Sequence, residues 1–434
     1  MPEGSWQESS SRRVVVTGLG IFCPIGNSLD EVWDSLMTGR SGTVPITRFD
    51  ASGFTTRIAG EVRDFDPRDR LGPKEARRTD RYVQLAVAAA QDALASAELT
   101  IGPRNERRVG VLIGTALGGI ETAERELNTL NTRGPGRVSP FFIPMFLADM
   151  ASGYVSIVTG AKGPNLATLS ACASGAHALG EAAEIIRRGD ADVMIAGGSE
   201  AAVTPGSVAG FNAVGALSIR NDEPGTASRP FDATRDGFVV AEGAAVLILE
   251  ARDHAVARGA RILAEVSGYG ATGDACHIVQ PAPDGEGAAR AMVRALACAD
   301  LAPAAIDYIN AHGTSTPLND RLETVAIKSV FGEQRVPPVT STKALTGHLL
   351  GAGGAVEAVF TILAMQHGMI PPTWNLTTPD PDCDLDYVTD GPRQSALRHT
   401  LSNSLGFGGH NVALIFSRYD PGEGDDGLHV GNAQ

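Results

Sequence analysis

This chain of 434 residues predicts an α/β fold with buried sheets, built as two similar halves. Three observations carry that prediction. Apolar, strand-like runs alternate with helix-like segments almost throughout. The 51 glycines follow no period and gather at the ends of the apolar runs, where tight turns and close helix–sheet contacts need them. A pattern near the start also returns later: Arg-Val-Val-Val-Thr-Gly-Leu-Gly at 13–20 is echoed by Arg-Ile-Leu-Ala-Glu-Val-Ser-Gly-Tyr-Gly at 261–270. The halves are placed at 12–260 and 261–419. No linker-like stretch divides them, so they are expected to share one body.

Taken in order, residues 1–11 are polar, lack the apolar core of a signal peptide and are expected to be disordered. Residues 13–20 read as a buried strand ending in a glycine turn, and 75–95 as a long amphipathic helix. Further strands are expected at 109–114 and 193–198. Residues 175–188 read as a helix, with small residues on its packed side and Glu181, Glu184, Arg187 and Arg188 toward water. A strand at 239–250 leads to a basic helix ending near 259. After the echo at 261–270, an apolar run at 306–309 precedes a histidine motif. Residues 347–368 form a Gly/Ala-rich helix start and helix that repeat the one after Cys172. The end of the chain, 420–434, is an acidic tail expected to be disordered.

Hydrophobic residues make up 43% and charged ones 20%, the balance of a packed globule. The net charge of −14 argues against binding nucleic acid or an anionic membrane. Five scattered cysteines, with no Cys-x-x-Cys pair, suggest neither a disulfide framework nor a zinc site, and point to a reducing cytosol. No apolar run approaches the roughly 18 residues that span a bilayer.

Four motifs carry chemistry. Ala-Cys-Ala-Ser-Gly-Ala at 171–176 places Cys172 where an apolar run meets a helix. The positive end of a helix macrodipole favours thiolate, a nucleophile toward acyl thioesters. Taken alone, a small buried hydrophobe is the commoner role of a free cysteine. Asn-Ala-His-Gly-Thr-Ser-Thr at 310–316 sets His312 at the end of a buried strand, where α/β folds place site residues. Ser-Thr-Lys-Ala-Leu-Thr-Gly-His at 341–348 sets His348 near a helix start, which keeps its ring neutral and able to donate a hydrogen bond. Either histidine alone is more readily structural, and Lys343 has Glu357 within reach as an ion-pair partner. Asn-Ser-Leu-Gly-Phe-Gly-Gly at 403–409 lets backbone approach a ligand while Phe407 walls a pocket. No histidine spacing suggests metal.

In this order, the cysteine, two histidines, lysine and Gly-Phe-Gly-Gly run resemble the β-ketoacyl-acyl carrier protein synthases of the thiolase-like superfamily, nearest the type II elongating enzymes. The likeness runs from about residue 13 to 418. It also takes in Ser-Pro-Phe-Phe at 139–142, Ser-Arg-Pro-Phe-Asp at 228–232, Arg-Asp-Gly-Phe at 235–238 and Gly-His-Leu-Leu-Gly-Ala-Gly-Gly-Ala-Val-Glu at 347–357.

The resemblance implies a duplicated five-layer α/β/α/β/α fold, a homodimer and a decarboxylative condensation. Cys172 would take an acyl group from acyl carrier protein. Malonyl carrier protein would lose carbon dioxide, and its enolate would attack the acyl-Cys172 thioester. His312 and His348 would hold the developing enolate, and the N–H groups of Cys172 and Phe407 would form an oxyanion hole. Lys343 with Glu357 would organise the site, and Glu323 would be structural. No resident cofactor is expected.

Arg68, Arg70, Lys74, Arg77, Arg78 and Arg81 fall where the family's carrier-facing basic segment lies. The departures are Leu405 for a common Phe, His410 for Thr, and Gly215 for a basic residue. Fatty acid elongation is the leading expectation. Alternatives are a catalytic ketosynthase subunit of a type II polyketide or polyene synthase paired with a chain-length factor, a non-catalytic partner subunit, or a thiolase. A thiolase would want a second catalytic cysteine where 406–409 has none.

Overall fold

A computed structural model describes residues 12–332 and 335–420. The two terminal segments expected to be disordered lie outside these residues, except for Asp420. Ten strands form the main sheet system: β1 (Val14–Phe22), β2 (Val109–Gly114), β3 (Asn165–Thr168), β4 (Val193–Glu200), β5 (Gly243–Ala251), β6 (Ala264–Gly273), β7 (Tyr308–Asn310), β8 (Val339–Thr340), β9 (His399–Gly406) and β10 (His410–Ser417). Six helices matter for the site: α1 (Pro67–Ala76), α2 (Arg81–Ser96), α3 (Ser174–Arg187), α4 (Glu286–Cys298), α5 (Pro317–Phe331) and α6 (Gly353–His367).

The strand order is β8-β7-β9-β10-β6-β1-β5-β4-β2-β3. Counted from either outer edge, each half runs third, second, fourth, fifth and first strand in chain order, so the same topology occurs twice. The halves join where Val15 and Val16 of β1 pair with Glu265 and Ala264 of β6. Helix α2 covers the outer face of the first half-sheet and α4 that of the second. Helices α3 and α6 lie between the sheets and pack on each other, which completes five α/β/α/β/α layers. The middle layer is made of small and branched apolar residues with almost no exposure, including Ala178, Leu179, Ala182, Val356, Val359 and Phe360.

The Gly-x-Gly echo has a packing cause. A Cβ at Gly18 or Gly20 would stand 2.2 Å from Ala93 O or 2.0 Å from Ala89 O of α2. At Gly268 or Gly270 it would stand 2.4 Å from Ala295 O or 2.0 Å from Ala291 O of α4. In each half, two glycines let the first strand and its covering helix touch backbone to backbone.

Some boundaries differ from the sequence expectation. The helix expected at 75–95 is two elements, because Asp80 caps α2 by accepting the N–H of Tyr82 at 3.3 Å, while α1 ends at Ala76. Residues 239–241 leave the strand expected there and instead grip the His348 backbone: Val239 O accepts its N–H at 2.7 Å and Ala241 N–H donates to its carbonyl at 2.9 Å. Residues 347–352 precede α6 as a turn containing a 3₁₀ segment, Leu350–Ala352. The strand expected at 306–309 is β7, two residues further on.

Candidate active site

The central helices bring the site together. Helix α3 starts at Ser174, two residues after Cys172. Its Gly175 lies so near the opposite half that a Cβ there would stand 2.8 Å from Gly351 O. The start of α3 and the turn before α6 therefore meet. The nucleophile loop is tight: Ala171 has φ +50°, uncommon for a residue with a side chain, and Ser174 Oγ accepts Ser170 N–H at 2.9 Å while donating to Ala171 O at 2.7 Å.

Cys172 is buried, and burial pushes its thiol up to about 12, with Lys343 opposing the rise and Glu200 adding to it. Sequence reasoning from the helix dipole had pointed to a thiolate; loss of water around the sulfur outweighs that pull. The backbone N–H groups of Phe407 and of Cys172 itself, the pair assigned to an oxyanion hole, oppose the rise and favour the thiolate.

His312 and His348 are both buried, with ring centroids 5.2 Å apart and planes at 84°. Burial holds each well below the ordinary histidine value, Lys343 lowers both further, and His348 also lowers His312. Both rings are neutral at physiological pH, as expected, although desolvation rather than a helix end is the main cause. The His312 loop is held by Glu323 of α5, whose carboxylate accepts the N–H groups of His312 at 2.7 Å and Gly313 at 2.8 Å. Phe238 stands edge-on to His348 at 5.3 Å. Lys343 pairs with Glu357 of α6 in full burial, and its carbonyl accepts Ser228 Oγ–H at 2.7 Å. Burial raises the Glu357 carboxyl to about 7 against the pull of that lysine.

Cys172, His312, His348 and Phe407 share one cavity of about 530 Å³, walled by Leu117, Phe211, Phe238 and Leu350 among others. Leu405 and Gly215, two of the departures, line it as well. His410 does not: its exposed ring lies 3.2 Å from where a Gly408 side chain would begin, and edge-on to His177 at 6.3 Å.

The basic segment divides. Arg81 is a structural ion pair with Glu242 at 2.7 Å, and Arg70 is engaged by Asp92 at 2.6 Å, so neither is a free docking cation. Arg68 pairs with Asp66, Lys74 lies 4.0 Å from Glu75, and Arg78 lies 4.7 Å over the Phe141 ring. Arg77 is exposed, with no ion pair among the described residues. Sequence reasoning missed Glu200, a buried carboxylate at the end of β4. Its signal was slight, a single acid closing the apolar run Val193–Glu200.

Fold and site define a thiolase-like protein with one cysteine and two neutral imidazoles at the junction of its halves. The family models for the N-terminal and C-terminal domains of beta-ketoacyl synthase match residues 11–255 and 263–377. The chain belongs to the beta-ketoacyl synthase family. It is 53% identical over 409 residues to the 3-oxoacyl-[acyl-carrier-protein] synthase 2 of Synechocystis sp., covering 94% of this chain and 98% of that one. It is 50% identical to the protein of that name from Coxiella burnetii, covering 94% and 99%. Among solved structures, a beta-ketoacyl synthase from Burkholderia phymatum aligns with a TM-score of 0.89 at 39% identity, covering 94% of this chain and all of that one. The ishigamide ketosynthase/chain length factor aligns with a TM-score of 0.89 at 37% identity and the same coverage.

Proposed function

We propose that this protein is a 3-oxoacyl-acyl carrier protein synthase that lengthens acyl chains in fatty acid synthesis. One observation carries the reading: a buried thiol and two neutral imidazoles share one cavity, which Phe407 also lines.

In the first half-reaction, Cys172 Sγ adds to the thioester carbonyl of an acyl carrier protein. The oxyanion is held by the N–H groups of Phe407 and Cys172, each such donor being worth about 2.7–4 kcal/mol in the transition state. The carrier's thiol leaves and takes up the proton that Cys172 gives up. Malonyl carrier protein then loses carbon dioxide, and the C–C bonding pair becomes an enolate whose oxygen accepts hydrogen bonds from His312 and His348. The enolate carbon attacks the acyl-Cys172 carbonyl, and the S–C bond breaks with its electron pair on sulfur. The thiolate takes a proton from water to restore the thiol, and a 3-oxoacyl carrier protein two carbons longer departs. Loss of carbon dioxide drives the sequence without a resident cofactor; the phosphopantetheine arm arrives with the substrate. Arg77, with Arg68, Lys74 and Arg78, offers an acidic carrier its docking cations.

A homodimer is the working assembly. Strand β3 is a sheet edge, and Leu166 on it is 48% exposed, with Leu169 at 58% and Ile157 of the adjoining helix at 73%. An apolar edge of this kind needs a covering partner. A catalytic subunit paired with a chain-length factor is the second reading, favoured by the ishigamide ketosynthase/chain length factor among the structural neighbours. Among the described residues no helix is long and apolar enough to cross a membrane.

The test is elongation by the purified chain alone, given a medium-chain acyl carrier protein and malonyl carrier protein, with products read by intact mass. A carrier two carbons longer is the expected product. Acylation at Cys172 without elongation would favour the subunit reading, and no acylation at all would remove the proposal.

A further inference from the structure

Glu200 is a fully buried carboxylate at the site that the condensation above does not use. Four donors, rather than a cation, hold it. Its Oε2 accepts the N–H of Ala116 at 2.7 Å and of Gly351 at 3.1 Å. Its Oε1 accepts the N–H of Leu117 at 3.2 Å and the hydroxyl of Thr115 at 3.1 Å. Ala116 and Leu117 wall the cavity, whereas Gly351 belongs to the turn that follows His348 in the other half. The junction has no slack: a Cβ at Gly351 would stand 2.7 Å from Glu200 Oε2 and 2.3 Å from Ala116 N.

The carboxylate also acts on the sulfur. The charged or titratable groups around Cys172 are Lys343, which favours its thiolate, Glu200, which opposes it, and the neutral His312 and His348. The charge of Glu200 also adds to the rise that burial imposes on the Tyr82 phenol of α2. Burial lifts the Glu200 carboxyl to about 7, and the N–H groups of Ala116, Leu117 and Gly351 oppose that rise.

We propose that Glu200 is a positioning residue for the condensation: it clamps the cavity wall at Ala116 and Leu117 to the turn behind His348, and it counterbalances Lys343 at Cys172. The proposal rests on Cys172 being the nucleophile.

Three variants test it: Glu200→Gln removes the charge and keeps the shape, Glu200→Asp keeps the charge and shortens the reach, and Thr115→Val deletes one donor. For each, the Cys172 peptide is followed by mass during iodoacetamide alkylation across a pH series, alongside elongation kinetics and thermal unfolding. Glu200→Gln is expected to alkylate about three- to tenfold faster at a fixed mildly alkaline pH, because a nearby negative charge is gone. Its elongation kcat is expected to fall on the order of ten- to a hundredfold, the cost of a displaced reacting group. Glu200→Asp should lose elongation while keeping the wild-type alkylation profile, and Thr115→Val should lose about two- to fivefold in kcat.

A Glu200→Gln alkylation profile that superimposes on wild type overturns the proposal. So does wild-type elongation by folded Glu200→Gln or Glu200→Asp. If both Glu200 variants fail to fold, unchanged elongation by Thr115→Val overturns it. Failure of the underlying function would show in the wild-type protein itself, as absent elongation, and so stays distinct from failure of the Glu200 proposal.

Discussion

The two halves solve one problem with different chemistry. Strand β2 in the first half and β7 in the second occupy matching places, and each ends in a loop whose successive backbone N–H groups are gathered by a buried carboxylate. In the second half Glu323, from helix α5, holds His312 and Gly313. In the first half Glu200, from strand β4, holds Ala116 and Leu117. Glu323 stays within its own half, with Asn403 as its third partner at 3.3 Å. Glu200 reaches across to Gly351. The His312 loop thus sits on a support within its own half, whereas His348 is gripped by Val239 and Ala241 of the first half. The first half presents a sulfur, a wall and the tie between halves. Duplication supplies the frame, and the carboxylate ties differ between the halves: one is local, the other crosses the junction.

The most direct way to break this comparison is Cys172→Ala. Condensation should fall on the order of 10⁴-fold or more, as when a nucleophile is removed, with thermal unfolding near wild type. Residual elongation would mean the first half does not supply the reacting group. Next, His312→Ala and His348→Ala should each cost on the order of 10²- to 10³-fold in condensation, like the loss of one oxyanion donor. Cys172 should still be acylated in both, and an unacylated cysteine would place the histidines in the wrong half-reaction.

Two kinds of group shape the acid side of the pH profile. Both rings lie well below the ordinary value of about 6.5 because burial, then Lys343, disfavours their charged form. A lowered pKa means more acid is needed to protonate them, so they should stay neutral below pH ~6.5. The carboxyls of Glu200 and Glu357, lifted by burial to about 7, take up protons first, so elongation should begin to fall below pH ~7. Full wild-type activity well below that pH would show that neither carboxylate's charge is needed.

Glu323→Gln sharpens the contrast with Glu200. It should lower elongation about tenfold by loosening the His312 loop, yet leave Cys172 alkylation at the wild-type rate, since its charge is not among those acting on the sulfur. A shifted alkylation profile would erase the distinction drawn between the two carboxylates. The smallest effect belongs to the surface. Arg77→Glu with Arg78→Glu should raise KM for the carrier about two- to tenfold with kcat little changed, because complementary charge acts on encounter more than on chemistry. Unaltered carrier kinetics would remove this segment from the docking surface.

The residues that meet in the cavity were legible because each lies inside a short, distinctive run. Cys172 needs small residues after it to let α3 meet Gly351, and Lys343 and His348 share one turn. The repeat was legible for a similar reason, since Gly18, Gly20, Gly268 and Gly270 must each admit a helix backbone. Helix limits were less so: Asp80 looks like any polar residue until it accepts the N–H of Tyr82. Among the basic residues at 68–81, sequence could not separate Arg77, on the surface, from Arg81, spent on Glu242.

The order of motifs by itself determined the α/β duplication and the identities of thiol, imidazoles and lysine, because local spacing and residue type are written along the chain. Only the tertiary structure decided their protonation, since desolvation depends on everything packed around a group, and it raised Cys172 where its helix end alone would have lowered it. Only the tertiary structure could reveal Glu200, whose partners lie 84 and 151 residues away and are backbone N–H groups that any sequence would carry.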